Sequence, residues 1–299
     1  MLDHIKAQRA VKAESNLPLC VQFGGNAALI WCNDPVLRRL LGHHFRHGWA
    51  NSASAVVTYQ ITVGADHKLQ LRRDETLLYD GPSSNYIIER LLHDITITLT
   101  KQSQQHLVFH AAGLAYDETG LLLCGQSGSG KSTLAAWLTA NGFDYLTDEL
   151  VAISLDGGQM SGLARPIVLK KGSEFVWQQW LDEPAQACLT HLSNGTTLLD
   201  PESLRAHSIR TTAYPRILLF PRYADGQAFT IQPLSSAKAA FRLMHRLINA
   251  ENLPNRGFAG VTRLAQQTDA YSITYHDITL ATTWIKQTIL TKEDLLSET

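Results

Sequence analysis

The sequence lacks any apolar run approaching the ~18 residues of a membrane-spanning helix, which argues against a helical membrane anchor. Cysteine is scarce. Cys20, Cys32, Cys124 and Cys188 lie far apart with no C-x-x-C pair, so neither a zinc knuckle nor a dense disulfide framework is suggested, and a reducing cytoplasm is the default setting. Neither sign of charge dominates: 26 Lys and Arg face 27 Asp and Glu, a net charge of -1, which excludes strong phosphate-backbone affinity as a bulk property and gives no reason to expect a nucleic-acid partner. Met1 to Ala13 mixes Asp3, Lys6, Arg9 and Lys12 among apolar residues and lacks the uninterrupted apolar core of a secretory signal. Internal repeats and low-complexity tracts are absent as well.

The 299 residues are 44% hydrophobic and only 18% charged, a globular, slightly charge-poor composition that leaves a buried homo-oligomer surface open. Such a length fits two domains, or one large α/β domain with a smaller appendage. Val56 to Val63 is rich in β-branched residues and ends at Gly64-Ala65-Asp66; Lys68 to Arg72 alternates beyond it, which predicts a hairpin. Ile87, Ile88, Leu91, Leu92, Ile95 and Leu99 recur at helical spacing across Ser84 to Lys101. Leu107 to Tyr116 reads as a buried strand, Asp117 to Gly120 as a turn and Gly120 to Cys124 as the next strand. Further strands are expected at Arg216 to Phe220 and Ala228 to Ile231. Ser235 or Ser236 caps a helix carrying Ala240, Phe241, Met244, Leu247 and Ile248, and a final α-β-α unit runs from about Phe258 through Tyr271 to Tyr275 into a helix started by Asp277.

The chemistry begins directly after Cys124. Gly125-Gln126-Ser127-Gly128-Ser129-Gly130-Lys131-Ser132 fits G-x-x-x-x-G-K-[ST] between an apolar strand and the helix-like Thr133 to Leu138, and Asn141-Gly142 supplies that helix's stop. Glycines are needed because backbone N–H groups must turn inward around a β-phosphate with no Cβ in the way, while the helix start adds a positive dipole end. Lys131 then reaches the β- and γ-phosphates, and Ser132 a magnesium ion. The nearest candidates to hold the metal or take a proton are Asp148 and Glu149, which follow a segment returning from that helix. Asp156 is a rival, although Gly157-Gly158 after it favours a hairpin turn. Leu155 to Gln159 imitates a transporter-ATPase signature but follows the glycine loop too closely for the helical domain such proteins insert. No N-K-x-D motif is present, which disfavours a GTPase.

Taken in order, Phe109-His110-Ala111-Ala112, Gly125 to Thr133, Thr147-Asp148-Glu149 and Arg165-Pro166-Ile167-Val168-Leu169-Lys170 resemble the HPr kinase/phosphorylase superfamily, most closely its HPr-kinase-related family A. Phe220 to Tyr223 and Tyr271 to Asp277 look like that family's C-terminal part, and the resemblance is weak before Leu107. It implies an α/β fold with a P-loop kinase core of the type shared with phosphoenolpyruvate carboxykinases over 105–299. From position alone, an N-terminal α+β, β-rich region over 1–104 is expected to serve as a platform for the acceptor or for assembly. The resemblance also implies ATP and Mg²⁺ as cofactors, transfer to a serine-type hydroxyl, Asp148 as general base, Glu149 as a direct or water-mediated magnesium holder beside Ser132 and Asp148, and His110 next to Asp148. The founding kinase/phosphorylases carry Asp-Asp where this chain has Asp148-Glu149, and their HPr-docking signature is not evident here.

Arg165 is the candidate to meet phosphate or an acidic acceptor, with Lys170 and Lys171 close by and Arg222 a weaker candidate. A lone His in an apolar strand is more often a packed residue, so His110 gains its role mainly from the resemblance. His43, His44 and His47 read as a solvated segment rather than a metal site, and Trp177 with Trp180 as a helix packing face rather than a peptide platform. The expected activity is phosphorylation of a peptide or small protein; a free-serine-like small-molecule kinase and a slowly hydrolysing, nucleotide-gated binding module stay open.

Overall fold

The computed structural model describes residues 17–45, 55–64, 68–156, 158–183, 186, 189–191 and 195–297. The readings at Met1 to Ala13, His47, Ala65-Asp66, Gly157 and Cys188 lie outside them. The chain is mixed α/β and divides into two compact units, 1–104 and 105–299.

In the first unit, β1 (Leu19–Phe23) and β2 (Asn26–Cys32) pair antiparallel around Gly24 and Gly25, both at positive φ. Helix α1 (Pro35–Phe45) starts at Asp34, whose Oδ1 accepts from the Val36 and Leu37 N–H groups, and it carries His43 and His44. Beyond it β3 (Val57–Val63) lies parallel to β2, and β4 (Leu69–Arg73) and β5 (Thr76–Gly81) complete a five-stranded sheet in sequential order. The expected hairpin forms with Tyr59 opposite Arg73 and Val63 opposite Leu69. Helix α2 (Ser84–Gln102) begins where the Ser83 side chain accepts from Tyr86 N, and it buries the six residues whose spacing predicts it. Buried Asp94 on α2 is satisfied by the Tyr59 hydroxyl at 2.8 Å and by Arg73 at 3.0 Å.

The second unit is built on an eight-stranded mixed sheet. Its first half comprises β6 (His106–Tyr116), β7 (Thr119–Cys124), α3 (Lys131–Ala140), β8 (Asp144–Thr147), β9 (Leu150–Ser154) and β10 (Met160–Gly162). Next come β11 (Ile167–Leu169), α4 (Phe175–Gln178), β12 (Thr190–His191), β13 (Thr197–Leu199) and α5 (Pro201–Leu204). The chain then runs through β14 (Thr212–Tyr223), β15 (Thr230–Leu234), α6 (Ser236–Met244), α7 (Phe258–Gln267), β16 (Asp269–Tyr275) and α8 (Ile278–Ser297). The large sheet has the order β10-β9-β6-β7-β14-β16-β15, with β8 against β6; β11, β13 and β12 form a separate small sheet. Strands β7, β14 and β16 are parallel neighbours. Alternation along the strands makes two cores. Leu121, Leu123, Leu219 and Ile273 face α3 and α8, whereas Leu122, Leu218 and Ala270 face α6 and α7.

Two expectations change: the strand expected from Ala228 to Ile231 runs instead from Thr230 to Leu234, and the helix after Ser235 is shorter than its apolar spacing. The helix capped by Ser235 ends at Met244, so Leu247 and Ile248 are not on it, and Phe241 points to solvent. The cause is an open sheet edge: β7 pairs with β6 only from Ala111 to Tyr116, which leaves Val108 to His110 without a neighbour on that side. Residues 245–249 fill it. His110 N donates to Arg246 O, Ile248 N to Val108 O, and Asn249 bonds both Val108 N and His106 O. Asp156 does sit in a turn, between antiparallel β9 and β10.

Candidate active site

Strand alternation decides which side chains reach the edge of the α3 face. On β6, His110 shares the parity of Ala112, which packs in the α3-side core, while Phe109 and Ala111 face the other core. β7 ends at Cys124, fully buried, its thiol pushed up to about 12 by burial and therefore unreactive. The glycine loop then curls back to α3 with Gly128 and Gly130 at φ of 83° and 90°. Nothing lies within 4 Å of where a Gly128 Cβ would stand, whereas a Gly130 Cβ would come within 2.6 Å of the Tyr275 hydroxyl. No side chain caps α3, so its first-turn N–H groups are left for an external acceptor.

Lys131 is buried, and burial lowers its pKa. Its Nζ donates to the Gly125 carbonyl at 2.8 Å and the Gln126 carbonyl at 3.2 Å, partners that satisfy a desolvated ammonium. Gly125, Gln126 and Ser129 are not among the described residues that line the cavity, and the Ser129 hydroxyl is buried without a partner among the described residues.

The acids arrive through a break between two strands. β8 ends at Thr147, whose hydroxyl accepts from Glu149 N and donates to Leu163 O, and β9 starts at Leu150; the step leaves Asp148 and Glu149 aimed at the start of α3. Asp148 is only 8% exposed. Its carboxylate accepts from the Tyr145 hydroxyl at 2.9 Å and hydrogen-bonds the Ser132 side chain. Burial, then the adjacent Glu149 charge, push the Asp148 carboxyl above its ordinary value, against the pull of those bonds and of Arg165. Glu149 is 47% exposed at its side chain and pairs with Arg165 Nη1 at 3.0 Å, while Arg165 Nε is buried with no partner. Burial and the Lys131 charge hold the His110 imidazole below its ordinary pKa, so it is neutral near pH 7.

One cavity of about 860 Å³ joins these groups: His110, the loop from Ser127, Lys131 to Thr133, Asp148, Glu149, Arg165, Lys170 and Lys171 all line it. Lys170 Nζ donates to Ser127 Oγ at 3.2 Å, and the hydroxyls of Thr133 and Ser173 meet at 3.0 Å. Arg222 is not on the wall; it is exposed on the opposite parity of β14 from Tyr223, which is. Tyr223, Tyr275 and His276, at the ends of the parallel strands β14 and β16, are among the wall residues to which sequence reasoning gave no site role, with Ser173, Phe175 and Ile278. Counting alternation forward from Leu219 to Tyr223 was the available signal. Trp177 is buried, and Trp180 packs edge-on against Trp137 of α3, a packing role for the pair.

No helix among the described residues is long and apolar enough to cross a membrane. No protein-family model matches the chain, and no curated protein matches it. Among solved structures, the HPr(Ser) kinase/phosphatase from Coxiella burnetii is similar over 64% of this chain and 95% of its own, at 12% identity and a TM-score of 0.35. A likeness of that degree carries no argument about function.

Proposed function

We propose that this chain is an ATP- and Mg²⁺-dependent phosphotransferase with a P-loop core that moves the γ-phosphoryl group to a serine-type hydroxyl on a peptide or small protein. The observation that carries this reading is the meeting, in one cavity, of an uncapped glycine loop, Lys131 and the buried Asp148 with its raised pKa. The residues fit a nucleotide: positive-φ glycines leave the loop interior free of Cβ atoms, and the cavity has the size of a cofactor site. They also fit magnesium, which keeps most of its waters and needs only one or two protein oxygens; Ser132 Oγ with Glu149 or Asp148 would hold it. Bound there, the ion would neutralise charge on the phosphates.

The residues divide the work. Loop N–H groups and Lys131, released from the Gly125 and Gln126 carbonyls, bind the β- and γ-phosphates. Arg165, with its unpartnered Nε, meets the transferring group or an acidic acceptor, while its pair with Glu149 fixes its direction. The acceptor oxygen attacks the γ-phosphorus, its proton passes to Asp148, and the bond to the β–γ bridging oxygen breaks to release ADP. A carboxyl whose pKa is raised suits that task, because its carboxylate is the stronger base. Neutral His110 lines the same cavity as Asp148 and adds no charge to this step.

The test is label transfer from γ-labelled ATP with Mg²⁺ into fractionated polypeptide, with Lys131→Ala as control. Labelled polypeptide that vanishes in Lys131→Ala is expected. Label only in free phosphate, or only in a small metabolite, contradicts the peptide acceptor.

A further inference from the structure

The cavity has two chemically different ends, and strand order separates them. Crossing the sheet as β9-β6-β7-β14-β16, Asp148 and Glu149 enter beside β9, His110 from β6, the glycine loop from β7, and Tyr223 and Tyr275 from β14 and β16. The acids therefore lie on one side of the phosphate loop and the aromatic rings on the other. Resting on the proposed function, the γ-phosphate points to the acid side, which directs the rest of the nucleotide towards the rings, at the carboxyl ends of the parallel strands where open α/β sheets bind ligands.

Tyr223 is built as a platform. The residue is 48% exposed, yet its backbone N–H donates to Ser129 O at 3.1 Å, so its position is tied to the glycine loop. Buried Tyr275 supports it edge-on, with ring centroids 5.8 Å apart, and the Tyr275 hydroxyl donates back to Gly130 O at 3.4 Å. His276 stands beside Tyr223 with centroids 6.2 Å apart and planes 31° apart, and its Nδ1 lies 2.9 Å from Asp225 Oδ1. Phe175 and Ile278 extend the apolar lining. Half-exposed rings held this rigidly at a cavity wall present a flat π-face with little conformational entropy to lose on binding.

We infer that Tyr223, flanked by His276 and backed by Tyr275, is the seat of the nucleotide's base, and that it selects by stacking, with purines preferred for their larger face.

Equilibrium binding of Mg·ATP and of Mg·tripolyphosphate to the full chain separates base from phosphate contacts. Tyr223→Ala is expected to weaken ATP roughly tenfold or more, as loss of one base stack does, while tripolyphosphate binding is unchanged; Tyr223→Phe retains ATP affinity. Wild-type protein is expected to bind ATP more tightly than CTP. Equal ATP affinity in wild type and Tyr223→Ala overturns the inference, as does parallel loss of both ligands with an unchanged melting temperature. If Lys131→Ala loses both ligands while Tyr223→Ala loses neither, the base seat fails and the phosphate reading stands. A wild-type protein that binds neither ligand contradicts the proposed function and the base seat together.

Discussion

Removing the charge at Asp148 has two opposite expected consequences. As the base, its replacement in Asp148→Asn lowers the transfer rate by about 10² to 10⁴, measured under saturating ATP. As a buried carboxylate it opposes folding. A folded pKa raised above the ordinary 3.8 means that the folded state binds more protons in that window, so stability falls as pH rises through it and stays lower above. Asp148→Asn is therefore expected to melt at a higher temperature than wild type at pH 7, with the gap closing below about pH 4, where the wild-type group is protonated in both states. A variant that is slower but no more stable would assign the carboxylate a better-solvated setting. Gly130→Ala acts differently: at φ 90° a side chain is strained by about 1–3 kcal/mol, and its Cβ meets the Tyr275 hydroxyl at 2.6 Å. Lower stability in urea and lost ATP binding are expected together.

At the scale of elements, much was legible because period carries it. The α2 stripe from Ile87 to Leu99, the β3–β4 hairpin, and the strand, glycine loop and helix around Lys131 all stand where the residue spacing puts them. Pieces without a period were not legible. β11, β12 and β13 are two or three residues long, too short to show alternation, and their small sheet is fixed by pairing across distant sequence. Segment 245–249 looks like a continuing helix stripe, but a non-local demand, the open edge of β6, takes it. At the site, the loop and the acid pair were readable from residue type, whereas Tyr223 was overshadowed by Arg222 until parity along β14 was counted. The edge segment makes its own prediction: Asn249→Ala strands the buried Val108 N–H and His106 C=O contacts, costing about 1–3 kcal/mol in denaturant unfolding. A loss under about 0.5 kcal/mol would show that water satisfies that edge instead.

At the scale of the whole molecule, every described residue lining the 860 Å³ cavity belongs to 105–299, the unit with its own two-sided core. A fragment comprising 105–299 is therefore expected to bind Mg·ATP with the affinity of the full chain, read by calorimetry; a folded fragment that binds at least tenfold more weakly would assign part of the nucleotide site to 1–104. The central claim is transfer rather than hydrolysis, and phosphorus NMR of the full chain with Mg·ATP and a serine-containing peptide pool reads both at once. A phosphoserine resonance that grows in step with ADP, and is absent with Lys131→Ala and Asp148→Asn, is the predicted result. ADP that accumulates only with inorganic phosphate, or an ester that persists unchanged in Lys131→Ala, would contradict it.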